Sequence, residues 1–162
     1  MIALQITELK AFMSKFLTTN TFDDFLLQEA TLQMGIGYVI DGHINKAFYP
    51  SEDDAVDEQL SFISYAEVRN TLFSLIKGKR TPLGFHVILQ LSPKKCAVLF
   101  PEGLDAHLIK GLVMNIRFDG HKALITSGIS YSSFSMDKAP ELIWDEALMH
   151  FLRSANISFE QI

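Results

Sequence analysis

Residues 112–126 read LVMNIRFDGHKALIT. Leu112, Met114, Ile116 and Phe118 alternate with Val113, Asn115 and Arg117, the two-residue period of a half-buried strand. Asp119-Gly120 follows, a dipeptide that accepts positive φ at the centre of a two-residue turn. The stretch therefore predicts a β-hairpin, and with it an antiparallel sheet. The tripeptide at its tip, Asp119-Gly120-His121, occurs again as Asp41-Gly42-His43. That recurrence predicts a second hairpin at residue 41, returning over residues 44–49, and a duplicated plan.

Working outward, residues 2–6 read as a short strand. Thr7 is placed to cap a helix to about Thr18, with Leu9, Phe12, Met13 and Phe16 on its apolar face. Residues 25–33 turn strand-like, and Gly35 and Gly37 interrupt them. Ser64-Tyr65-Ala66-Glu67 is a capping box, in which the Ser64 hydroxyl would accept from the Glu67 amide. The helix it opens carries Val68, Leu72, Leu75 and Ile76 inward and ends near Gly78. Phe85, Val87, Leu89 and Leu91 alternate along another strand. Ser92-Pro93-Lys94-Lys95 is read as a turn, and residues 96–100 as a returning strand. A helical turn is expected within residues 103–109. Pro140 suits the first turn of a last helix to about Ala155, apolar around much of its circumference.

Helices alternate with antiparallel meander, which is an α+β plan. The two Asp-Gly-His sites lie 78 positions apart, and the apolar helix segments at 72–76 and 148–152 lie 76 apart. A single domain with pseudo-repeat halves, roughly 1–82 and 83–162, is the expectation.

The totals limit the options. A chain of 162 residues with 48% apolar content can build a sizeable core without staples. Its one cysteine, Cys96, permits no internal disulfide. No basic region followed by an apolar run opens the chain, and no stretch approaches a membrane span, so a cytoplasmic protein is expected. The net charge is −5, with much of the excess in residues 52–58. Strong nonspecific DNA binding needs clustered cations, so an acidic chain argues against it without excluding a local basic face.

Two resemblances add to this. The opening stretch MIALQITELKAFMSKFLTTNTFDDFLLQEAT, with IDGHINKAFY at 40–49, resembles an uncharacterised family of clostridial bacteria, a domain of unknown function. The likeness covers most of the chain and implies no activity and no catalytic residue. In plan, GLVMNIRFDGHKALITSGISYSSFS (111–135) is similar to the hairpin and long return strand of a DNA sliding-clamp repeat. SFISYAEVRNTLFSLIKG (61–78) followed by FHVILQLSPKKCAVLF (85–100) resembles a clamp's strand-helix-hairpin. The expected helices carry no basic stripe of the kind a DNA-tracking ring needs.

Candidate chemistry is sparse. Asp41, His43, Asp119 and His121 are the metal-ligand candidates, since imidazole and carboxylate suit zinc or a similar ion. Turn chemistry is the preferred account of the aspartates, which in a two-residue turn serve the backbone. Cys96 reads as a small buried hydrophobe on a strand face with Val98 and Phe100. His86, His107 and His150 come with no partner signature, although His150 stands one helical turn from Glu146. Residues 52–58 lack the ligand spacing of a calcium loop.

No phosphate loop, nucleophile elbow or zinc-protease signature is present, and nothing calls for a cofactor. The reading is a non-enzymatic binding or assembly protein, self-associating or meeting a protein partner through its last helix. The alternative is a small metal- or ligand-binding enzyme built from scattered His and Asp residues. A further alternative is weak nucleic-acid binding through Lys10, Lys15, Arg69 and the cations at 77–80.

Overall fold

Eight strands form one antiparallel sheet in the computed structural model, which describes residues 1–49, 60–101, 104 and 106–162. The strands are β1 (Ala3–Ile6), β2 (Phe25–Gln33), β3 (Gly37–Asp41), β4 (Ile63–Ser64), β5 (Gly84–Leu91), β6 (Ile109–Phe118), β7 (Ala123–Tyr131) and β8 (Phe159–Gln161). Their order is β3-β2-β5-β6-β7-β1-β8, with β4 continuing the β3 side of β2. Four helices accompany them among the described residues: α1 (Leu9–Thr18), α2 (Tyr65–Ile76), α3 (Pro93–Leu99) and α4 (Ala139–Ser154). The α+β expectation holds.

Strand alternation puts one side-chain set against the helices. Leu27, Leu89, Met114 and Ser127 lie in one row across the sheet, and Leu32, Phe85, Phe118 and Ala123 in another; all are buried. Over them Phe12, Phe16, Phe22, Phe25, Tyr65 and Phe151 make a ladder of stacked and edge-on rings, with neighbouring centroids 5.1–6.2 Å apart. Such pairs add about 0.5–1.5 kcal/mol each beyond the area they bury. Trp144 of α4, 3% exposed, donates its indole N–H to the Val113 carbonyl at 3.0 Å. The apolar surface of α4 is thus largely used inside the molecule, although Leu142 stays exposed.

Charged groups tie the helices down. Arg69 of α2 pairs with Asp23, which precedes β2. The Lys15 ammonium of α1 donates to the carbonyls of Ala155 and Asn156, just past the negative end of α4. Ser127 donates to the buried Asp145 carboxylate and accepts from the Ile2 amide at 2.9 Å.

Several local expectations are corrected. Residues 93–99 form α3, not a strand. Ser92 precedes it and Pro93 occupies its first turn, where a missing N–H costs nothing. Cys96 is half-buried on this helix, and burial raises its thiol pKa. Neither Thr7 nor Ser64 caps by side chain: Glu8 is the N-cap of α1, and Ser64 is the N-cap of α2 without a side-chain bond. No hairpin forms at Asp41. The β2–β3 hairpin turns at residues 34–36, and the chain beyond Asp41 runs on to an isolated bridge between His43 and Phe62. A single helical turn, Lys46–Phe48, replaces the expected return strand. The acidic run at 52–58 lies outside the described residues.

Candidate functional site

The face of the sheet turned away from the aromatic ladder carries Thr31, His86, Arg117, Leu124 and Gln5 in one register row. Ile88, Asn115, Thr126 and Ala3 form the next row. These side chains are half-buried or exposed. At one end of this face lies a cleft of about 420 Å³. Its polar lining is Gln28, His43, Ser61, Gln90, Lys110 and Ser130, and its apolar lining Leu26, Leu60, Phe62 and Pro93.

Two irregularities of the sheet build this cleft. In the β2–β5 ladder Leu27 opposes Leu89 and Glu29 opposes Ile88, so Gln28 is an extra residue in β2. In the β6–β7 ladder Ile109 opposes Tyr131 and Gly111 opposes Ser130, so Lys110 is an extra residue in β6. A β-bulge bends its strand and re-aims the inserted side chain. Both inserted residues, from different strands, line the same cleft.

The cleft's backbone is shaped to fit. The Gln28 amide donates from Nε2 to Gln90 Oε1 at 2.6 Å. Gly111 leaves room for that pair: a Cβ there would lie 2.6 Å from the Gln90 amide carbon and oxygen, so the Gln90 side chain would have to shift. Gly42 nests against the β2 bulge: its N–H donates to the Gln28 carbonyl at 2.9 Å, and a Cβ would stand 1.8 Å from the Leu27 oxygen.

His43 enters from the chain beyond β3. Its ring lies 4.6 Å from that of Phe62, and its Nδ1 is 2.6 Å from Asp41 Oδ1, which also accepts the His43 amide at 2.9 Å. These contacts from His43, backbone first and imidazole second, lower the Asp41 pKa. With Nδ1 engaged, Nε2 is the nitrogen left to meet a ligand.

The four metal candidates are not brought together. Asp119 caps its own turn, accepting the amides of Lys122 at 2.7 Å and His121 at 2.9 Å, and these bonds lower its pKa. By register the two tripeptides are three strands and about four residues apart, roughly 20 Å. Their glycines serve different ends: Gly120 takes φ 95°, whereas Gly42 allows a close backbone approach. Among the described residues no group of three or more His, Cys, Asp or Glu is placed to share a metal. Of the cations expected to face nucleic acid, Lys15 and Arg69 are engaged within the fold. His86 sits half-buried on the open face, and His150 meets Ser154 at 3.4 Å.

Sequence reasoning passed over Gln28, Gln90 and Lys110. The one local signal was Lys110-Gly111 at the head of an alternating strand, where a glycine marks a bulge or a close approach.

The chain belongs to DUF5721, a family of unknown function whose model matches residues 15–160. No curated protein and no solved structure matches it. Among the described residues no helix is long and apolar enough to cross a membrane.

Proposed function

We propose that this protein is a non-enzymatic binding and assembly protein that seats a ligand in the cleft on the open face of its sheet. The observation that carries this reading is the convergence of the two bulges. Each interrupts a ladder and forgoes regular pairing, and each delivers a polar side chain to the same 420 Å³ space. That volume falls within the usual range of small-molecule sites, about 300–1,000 Å³. Fragment screening by saturation-transfer NMR tests it. Hits on the wild type should lose their signal in Ser130→Trp, which fills the cleft from an exposed strand end. Hits that persist unchanged, or no hits at all, would overturn the proposal.

Assembly fits the β3 edge. This terminal strand carries no Lys, Pro or bulge, and Val39 is 72% exposed on it. The opposite edge, β8, has only three residues and carries Glu160. Antiparallel pairing of β3 with a second copy about Val39 sets Val39 against its equivalent and Asp41 against Gly37, with no like charges opposed. Sedimentation should show a concentration-dependent dimer that Val39→Lys returns to monomer; a strict monomer at high concentration removes the assembly half. A duplicated, clamp-like plan belongs to the same proposal, with bounds other than the expected halves 1–82 and 83–162: it is supported by the order β1-α1-β2-β3 and then β4-α2-β5-β6, interrupted by α3, with α1 and α2 packed together.

A further inference from the structure

We infer that the cleft takes a small carboxylate bearing an amide and a short apolar tail; this rests on the binding reading above. Of the ten described residues that line the cleft none is acidic, and Lys110 is the permanent cation among them. Its ammonium has no ion-pair partner among the described residues, so it can give all three donors to a bound anion. The bulge that inserts it lies one residue from Gly111, over which the Gln90 amide is packed. Lys110 and Gln90 therefore line the same cleft from neighbouring strands. Gln90 Oε1 is taken by Gln28, leaving Gln90 Nε2 as donor and Gln28 Oε1 as acceptor, the complement of one amide in a ligand. Leu26, Leu60, Phe62 and Pro93 form the apolar wall for a tail of a few carbons. A carboxylate on the ammonium makes a charge-assisted bond about twice as strong as a neutral one, so charge should dominate selection.

The probes are N-acetyl-L-leucine and its neutral isostere N-acetyl-L-leucinamide, followed by two-dimensional NMR of the backbone and glutamine side-chain amides. The acid should shift the Gln28 and Gln90 side-chain signals saturably and bind at least tenfold more tightly than the amide. Lys110→Met should erase that advantage while leaving residual amide binding, and Lys110→Arg should keep it. Equal binding of acid and amide to the wild type, or an acid preference that survives Lys110→Met, overturns the carboxylate assignment and leaves the cleft as a binding site. Absence of any shift with either probe also overturns the assignment. If Ser130→Trp then changes no fragment signal either, the binding reading falls with it.

Discussion

Tyr65, the first residue of α2, stacks on Phe16 near the end of α1 with ring centroids 5.1 Å apart, and its hydroxyl donates to the Phe16 carbonyl at 2.8 Å. One side chain thus packs against the aromatic ladder and occupies a backbone acceptor near the C-terminal end of α1. Tyr65→Phe keeps the stacking and strands the carbonyl, so it should cost about 1–3 kcal/mol in urea unfolding with an unchanged m-value.

The same burial raises the Tyr65 pKa far above the ordinary phenol value of 10.0. A raised folded pKa means that stability is fully present below about pH 10 and is lost as pH climbs beyond it toward the folded value. Alkaline titration at 295 nm should show one tyrosine ionising only with loss of the fold. Its ionisation in the native state alongside the less buried tyrosines would contradict this.

Ser127 and Asp145 are coupled in the core between β7 and α4. Ser127→Ala leaves the Ile2 amide and a buried carboxylate oxygen unsatisfied together, for a loss of roughly 2–3 kcal/mol. Denaturant midpoints of Ser127→Ala, Asp145→Asn and the double variant should show a coupling energy well above zero.

Gly42 and Gly35 make a matched contrast. Gly42→Ala drives a methyl into the Leu27 carbonyl, whereas a Cβ at Gly35 meets nothing within 4 Å. The first change should destabilise by roughly 3 kcal/mol or more. The second should be neutral or stabilise by up to about 1 kcal/mol, by restricting the unfolded chain. Thermal melts of the two variants are the check.

Asp119 accepts two amides as a carboxylate, so its folded pKa sits below its ordinary value of 3.8. Its contribution is present above that value and lost as pH falls through the folded pKa. Carbon-detected NMR should place its midpoint below 3.8, and Asp119→Asn should flatten the acid limb of the stability profile while keeping the turn.

The β6–β7 hairpin was legible because alternation and turn chemistry agreed over residues 112–126. Apolar spacing also marked α1, α2 and α4. Residues 96–100 misled because Cys96, Val98 and Phe100 alternate like a strand; Ser92-Pro93 is also a helix start, and docking of α3 against β6 and α4 decided the matter. Asp41-Gly42 misled because a glycine needed for close approach looks the same as one needed for a turn. The cleft was illegible for a different reason. A bulge is set by register between strands distant in sequence, and Gln28 and Gln90 meet across 62 positions.

β1 lies between β7 and β8, paired through Leu4 with Ile125 on one side and Gln161 on the other. During synthesis β1 therefore waits until β7, which begins at Ala123, has been made before either neighbour exists. Until then Leu4 and Ile6 have no sheet to join, and the nascent chain must be kept from pairing that strand elsewhere. Closure of the sheet is a late, long-range event, so folding should be slow for the protein's size and sensitive to chaperones during synthesis.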